Sequence, residues 1–180
     1  MKNLDFYFDV IDGKESVDSS MFQDENEEDK RGLILQYAFD SIIEMGDKTC
    51  SKKLVSYIDE NINLYSIRKK LALMNLGYVA SNDAESLLIS YLSSEHPDLQ
   101  FAAFCSICEM GRRDALSDET LSFLTGYISK GLKNQTFSHE EVIEIVMMLY
   151  DLDIIDGRLL IDMASASYPE AVSDAKGFVN

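Results

Sequence analysis

Apolar residues follow a helical spacing in four segments between residues 32 and 150. The recurring residues of the first segment are Leu35, Ala38, Phe39, Ile42 and Met45. The four segments close on similar endings: Ile42-Ile43-Glu44-Met45-Gly46, Leu73-Met74-Asn75-Leu76-Gly77, Ile107-Cys108-Glu109-Met110-Gly111 and Val146-Met147-Met148-Leu149-Tyr150. Intervals of three and four residues place the apolar side chains on one helix face. Because glycine adopts the left-handed conformation that ends many helices, the pattern predicts a helix ending at each glycine.

A further apolar helix is predicted after each ending, beyond a short polar loop. These helices cover residues 53–58, 84–92, 119–128 and 158–166. Ser117 or Asp118 is placed to cap the third of them. The endings recur every 31, 34 and 39 residues, and two helices per period predict an all-α fold, an α-solenoid of about four helix pairs over residues 32–180. The alternative is a non-repetitive helical bundle whose endings match by chance.

Residues 1–31 form an acidic N-terminal segment outside the repeats. Leu4, Phe6, Phe8 and Val10 alternate with other residues, a period of two that predicts a short strand or an extended segment packed on helices. The acidic run at residues 24–29 predicts a solvated loop or the first turn of the next helix, where negative charge suits the helix dipole. We therefore expect this segment to be partly extended.

Charge and composition narrow the classes of function. The 180 residues include 16 Lys and Arg against 32 Asp and Glu, which gives a formal net charge of −16. This charge repels phosphate groups, so we expect no direct binding to nucleic acid or to an anionic membrane, whereas a basic protein is an attractive partner. No signal peptide, apolar membrane span or disulfide framework is recognisable in the sequence. The expected location is the cytoplasm.

The segment 96–116 resembles a HEAT-like (PBS-lyase-type) helical repeat. The matching residues are Pro97, Leu99, Ala102, Ala103, Met110, Gly111, Ala115 and Leu116, whereas Gln100 stands where the family usually has Arg. The segment 34–47 matches in outline, and the copies ending at Gly77 and Tyr150 are looser. The resemblance covers about residues 32–166 and implies a right-handed solenoid. It leaves the function open, because such arrays are mostly binding surfaces and only sometimes parts of enzymes, and some members act as bilin lyases or as adaptors.

The sequence offers little catalytic or metal-binding chemistry. Cys105 and Cys108 form a C-x-x-C inside a predicted helix without the further ligands that zinc needs, so we expect both to pack in the core. His96 and His139 are expected at the surface or at helix starts. Residues 151–157 have the wrong side chains for a calcium loop. We therefore expect no enzyme activity, no metal and no cofactor.

The candidate partner-binding residues lie on the second helix of each pair, which the resemblance places on the concave side. They are Gln36, Asp40, Glu44, Gln100, Phe101, Phe104, Glu140, Glu141 and Glu144. An acidic groove that contains an aromatic ring would attract a basic partner quickly and anchor it. The alternative is that the acids are general solubilising charge and that Phe101 belongs to the core.

The leading hypothesis is a non-catalytic protein-binding module, most concretely an immunity protein that neutralises a basic nuclease toxin by occupying its substrate site. The second hypothesis is a HEAT-like scaffold or adaptor for another subunit or peptide. A third class, a repeat-containing lyase, would require a bound cofactor or pigment.

Overall fold

The computed structural model describes residues 3–18, 27–46, 48–60, 67–80, 82–151 and 157–179, and all regular structure within these ranges is helical. The α-helices are α1 (Leu4–Asp12), α2 (Glu27–Met45), α3 (Lys48–Glu60), α4 (Ile67–Val79), α5 (Glu85–Tyr91), α6 (Pro97–Arg112), α7 (Asp118–Asn134), α8 (His139–Asp151), α9 (Gly157–Ser167) and α10 (Pro169–Val179). A short 3-10 turn at Asn82–Ala84 precedes α5. The predicted all-α class is confirmed.

The helices predicted from apolar spacing are present in the predicted order. The first helices of the pairs correspond to α3, α5, α7 and α9, and the four similar endings fall in α2, α4, α6 and α8 or directly after them. The predicted cap of α7 is Ser117, whose Oγ accepts a hydrogen bond from the backbone N–H of Thr120 at 3.2 Å. Pro97 is the first residue of α6, where its missing N–H costs the helix no hydrogen bond.

The helix-ending role predicted for the glycines is correct only at Gly46, which follows α2 with a φ of 58°. Gly77 and Gly111 lie buried inside α4 and α6. A Cβ atom at Gly77 would lie 2.6 Å from the backbone oxygen of Ser106. This glycine therefore serves the close approach of α4 to α6, a second use of glycine that its place in the sequence does not distinguish.

The extended segment predicted near the N-terminus is wrong, because residues 4–12 form α1. Asn3 caps this helix by accepting a hydrogen bond from the N–H of Phe6 at 3.0 Å, and Gly13 ends it with a φ of 76°. The buried side chains are Tyr7, Phe8, Val10 and Ile11. Because most residues of this segment are apolar, they can fill one helix face as well as alternate along a strand, so the alternation does not distinguish a strand from a helix.

One helix boundary and the presence of one helix also differ from expectation. Helix α2 begins at Glu27 and runs across the predicted boundary between residues 31 and 32, so the end of the acidic run lies in its first turn. Helix α10 was not predicted, although Pro169 at its start is a usual signal. Residues 152–156, which belong to the segment judged unsuitable as a calcium loop, lie outside the described residues.

Helices two positions apart along the chain pack on one another. Helix α2 packs on α4, α4 on α6, α6 on α8, and α8 on α10, while α1, α3 and α5 pack on α2, α4 and α6. The contacts of α4 with α6 join Lys70 to Asp98 and Gly77 to Ser106, so these two helices run in the same direction. Among the described residues, no helix combines the length and apolar character needed to cross a bilayer.

Candidate functional site

A cleft of about 410 Å³ runs along α8 between α6 and α10. We call it the α8 cleft, and its lining residues are Phe101, Glu140, Ile143, Glu144, Met147 and Phe178. The four α8 residues fall at i, i+3, i+4 and i+7, which is one helix face. The opposite face of α8 is buried through Val142, Ile145, Val146 and Leu149. The face of α8 that lines the cleft thus combines two carboxylates with two apolar side chains.

An adjoining cleft of about 380 Å³ lies at the N-terminal ends of α6 and α8. Its lining residues are Lys70, Pro97, Asp98, Gln100, Phe101, Ser138, Glu140 and Glu141. Phe101 and Glu140 line both clefts, so the two form one continuous surface. Lys70 is paired with Asp98 at 3.2 Å, which leaves the carboxylates of α8 as the main charge at this end.

The acids at the start of α8 have different tasks. Glu141 and Ser138 form a capping box: Glu141 Oε2 accepts from the Ser138 N–H at 2.7 Å, and Ser138 Oγ accepts from the Glu141 N–H at 3.1 Å. Glu140 is exposed. Backbone and Ser138 hydrogen bonds hold the pKa of Glu140 below its ordinary value, so this carboxylate is ionised at neutral pH. The Ser-x-x-Glu spacing could have revealed the structural role of Glu141 in advance.

Glu144 is partly neutralised inside the protein. Both terminal nitrogens of Arg112 donate to Glu144 Oε2, at 3.0 and 2.5 Å, and Arg112 Nε lies 3.5 Å from Glu109 and 3.9 Å from Asp151. This cluster joins the C-terminal part of α6 to α8. Glu144 therefore lines the α8 cleft, as predicted for a surface acid, but its charge is shared with an arginine that the sequence analysis did not consider.

The structure divides the predicted set of acids into two places. Gln36, Asp40 and Glu44 are exposed on α2, as the spacing predicted. Helices α4 and α6 stand between α2 and α8 in the order of packing, so three helix spacings of about 9 Å each separate the two groups along this layer. The α2 acids face solvent, whereas Glu140 and Glu144 of α8 line a cleft together with apolar side chains.

Three candidate residues of α6 occupy different environments. Phe101 is partly buried and lines both clefts. Gln100 donates its side-chain amide to the Leu92 carbonyl at 2.7 Å, which anchors the turn before α6. Phe104 is fully buried and its ring packs near those of Tyr127 and Phe137. Phe104 is therefore a core residue: its ring packs toward Tyr127 and Phe137 and is fully buried, so it is not accessible for the partner contact that was predicted for it.

Ile143, Met147 and Phe178 also line the α8 cleft, although none of them was predicted as a site residue. Ile143 and Met147 share the helix face of Glu140, so the heptad-like spacing was the available signal. Phe178 is 72% exposed, and its position required the unpredicted helix α10. His139 Nε2 lies 2.9 Å from Asp174 Oδ2 and links the start of α8 to that helix.

The cysteines pack in the interior as predicted. Cys108 is fully buried and Cys105 is partly buried. Burial, followed by the neighbouring Glu144 carboxylate, raises the pKa of Cys105 to about 12, and burial raises the pKa of Cys108 well above its ordinary value. Thiols held protonated in this way are poor nucleophiles and poor metal ligands. Within the part of the chain that the structure describes, no cluster of three or more His, Cys, Asp or Glu side chains could hold a metal ion.

No family model matches this chain, and no curated protein or solved structure is significantly similar to it.

Proposed function

We propose that this protein is a non-catalytic binding module that holds a basic protein partner on the α8 cleft and the adjoining cleft. The observation that carries the proposal is the combination of apolar lining and carboxylates on one surface. Phe101, Met147 and Phe178 offer a ring and side chains that a partner would bury, while Glu140 offers an ionised carboxylate at the edge. Buried apolar anchors supply affinity, and opposite charge speeds association.

The architecture proposed for this module is a right-handed, HEAT-like solenoid of about four helix pairs. Its support is the packing of each even-numbered helix on the next, from α2 to α10. Contacts between residues 28 to 36 positions apart also recur, from Lys70–Asp98 to Arg113–Gly77, close to the repeat period of the sequence. Stacked repeats contact chiefly their neighbours, and the order of packing follows that rule.

The most concrete form of the proposal is an immunity protein that neutralises a basic nuclease toxin in the cytoplasm. A nuclease is basic where it grips phosphate, so an acidic surface that covers that region would exclude the substrate. The net charge of −16 supports rapid, salt-dependent association. In this role the protein needs no catalytic group and no cofactor of its own.

The test is co-expression with the C-terminal portion of the product encoded directly upstream of its gene. We expect that portion to stop bacterial growth, and we expect this protein to restore growth and to form a 1:1 complex that resists dilution. The variant Glu140→Lys should lose protection, and Asp162→Lys on the exposed side of α9 should keep it. Toxicity that the wild-type protein does not relieve would contradict the immunity role.

The second candidate is a HEAT-like scaffold or adaptor that holds a subunit or peptide without inhibiting it. Two adjoining clefts leave the surface along α8 open, and this supports the adaptor role as well as it supports the immunity role. An adaptor would form complexes that dissociate on dilution, and it would bind more than one partner through the same residues. Sedimentation of mixtures over a dilution series separates the two candidates.

A further inference from the structure

The walls of the α8 cleft are helical, and this restricts the form of what binds there. Helices α6, α8 and α10 supply all its lining residues. Backbone groups inside a helix are already hydrogen-bonded to one another, so these walls offer no free sheet edge to an extended peptide. A segment that buries its backbone here must satisfy its own N–H and C=O groups, and an α-helix does so.

The apolar contacts of the cleft match the dimensions of a helix face. From Glu140 to Met147 the lining of α8 covers eight residues, a rise of about 10 Å along the helix axis. An incoming helix presents apolar residues at i, i+3 or i+4, and i+7 over the same length. Phe101 on one side and Phe178 on the other would border that stripe, and the flexible thioether of Met147 adapts to different apolar shapes.

The charges give the incoming helix a direction. At the Met147 end, Arg112 already compensates Glu144. At the other end, the Glu140 side chain is exposed and lines both clefts, and the adjacent Glu141 carboxylate accepts from the Ser138 N–H in the capping box. Of the two carboxylates that line the α8 cleft, Glu144 is bound by Arg112 and Glu140 is exposed, so Lys or Arg side chains are favoured beside the start of α8.

From these contacts we infer that the α8 cleft receives an amphipathic α-helix of the partner, with its apolar stripe between Phe101 and Phe178 and its Lys or Arg residues over Glu140 and Glu141. This inference rests on the proposed function and specifies the structural class of the docking element. Charge complementarity selects a cationic helix over a second copy of this acidic chain, whose net charge is −16.

The experiment uses the full chain and three fluorescein-labelled synthetic peptides of about 18 residues, or five helical turns. The first contains Leu and Lys in a helical pattern, the second contains the same residues in strict alternation, and the third replaces Lys by Glu in the helical pattern. Fluorescence anisotropy at low and at moderate salt measures binding. We expect binding of the helical Leu–Lys peptide, with an increase in its helical circular dichroism, and at least about tenfold weaker binding of the other two.

Matched variants assign the binding to the cleft. Phe178→Ser should weaken binding of the helical Leu–Lys peptide about tenfold, because the peptide would lose a ring against which it is buried. Phe123→Ser, at another exposed ring, which lies on α7 outside the cleft, should leave binding unchanged. Glu140→Lys should weaken binding of the helical Leu–Lys peptide several-fold, with a larger effect at low salt than at moderate salt. Asp162→Lys on α9 should leave binding unchanged.

Equal binding of the alternating peptide, equal loss in the Phe123 and Phe178 variants, or a change of oligomeric state in Phe178→Ser without peptide binding would overturn the inference. If no peptide binds while toxin protection still depends on Glu140, the proposed function stands and the helical docking element is wrong. If the helical peptide binds as expected while the neighbouring product is harmless, the inference is supported and the immunity role fails.

Discussion

The junction of α6 with α4 and the junction of α6 with α8 differ in how closely the helices approach. At the first, Gly77 faces Ser106 without room for a methyl group, and Ser106 Oγ both accepts from the Gly77 N–H at 2.7 Å and donates to the Leu73 carbonyl. At the second, two clefts open beside Phe101 near the start of α6, and Arg112 at the end of α6 binds Glu144 in the middle of α8.

The difference separates surfaces that stabilise the fold from surfaces that remain available for binding. A closed junction uses small residues and buried hydrogen bonds, so almost any substitution there has a large cost. An open junction keeps partly exposed apolar side chains that contribute little to folding, and a partner can bury them. The predictions below test this division, beginning with the largest expected effect on the free energy of unfolding.

The largest difference in the free energy of unfolding is expected between variants of two phenylalanines, one fully buried and one largely exposed. Phe104→Ala should lower the free energy of unfolding by about 4 kcal/mol, because its ring is fully buried near Tyr127 and Phe137. Phe178→Ala should change it by less than about 0.5 kcal/mol, because that ring is largely exposed. Urea denaturation of both variants measures the difference, and equal losses would contradict the assignment of Phe178 to an open cleft.

Replacement by alanine at two helical glycines should change the free energy of unfolding in opposite directions. Gly77→Ala should destabilise by about 2 kcal/mol, because the new methyl group would meet the backbone of Ser106. Gly126→Ala in α7 should stabilise by about 0.5 to 1 kcal/mol, because no atom lies within 4 Å of its Cβ position and alanine favours a helix over glycine. Thermal denaturation monitored by circular dichroism at 222 nm tests both, and a neutral Gly77→Ala would show that α4 and α6 can separate at little cost.

A buried carboxylate between the start of α5 and the start of α7 should make stability depend on pH. Glu85 of α5 accepts from the Ser117 N–H at 2.6 Å and from the Ser117 and Thr120 hydroxyls. Burial raises the pKa of Glu85, but these hydrogen bonds lower it by more, so it lies below the ordinary value of 4.5. Its contribution is therefore fully present above about pH 5 and is lost as the pH falls through the lowered pKa.

The variant Glu85→Gln isolates this contribution. At pH 7 it should cost about 1.5 kcal/mol, because an amide cannot accept from all three donors. The gap between wild type and variant should narrow as the pH falls below 5. Urea denaturation between pH 3 and pH 7 measures the gap, and a gap independent of pH would mean that the carboxylate charge is unimportant.

The smallest effects on folding are expected at the two acidic surfaces. Asp40→Lys with Glu44→Lys on α2, and Glu140→Lys on α8, should each change the free energy of unfolding by less than about 0.5 kcal/mol, because all three side chains are exposed. Partner association, measured by stopped-flow fluorescence, should be slowed more by Glu140→Lys alone than by the α2 pair. The opposite order would place the binding surface on α2.

Different sequence signals predicted the structure to different degrees. Apolar periodicity predicted α3, α5, α7 and α9 because an amphipathic helix buries one face whatever it packs against. It failed at α1, where the aromatic and aliphatic residues fill two patterns at once. The capping box of Ser138 and Glu141 was readable from spacing, whereas the pairing of Arg112 with Glu144 joins residues 32 positions apart and leaves no local signal.

The sequence by itself determined the helical class, most of the helices, the strong negative charge and the exposed stripe on α2. These follow from side-chain periodicity and composition, which act over a few residues or over the whole chain. Only the tertiary structure decided which acids adjoin an apolar cleft, that Phe104 is buried while Phe101 lines it, and that Gly77 serves helix contact. Those outcomes depend on how closely particular helices approach, and that distance is set by side chains far apart in the chain.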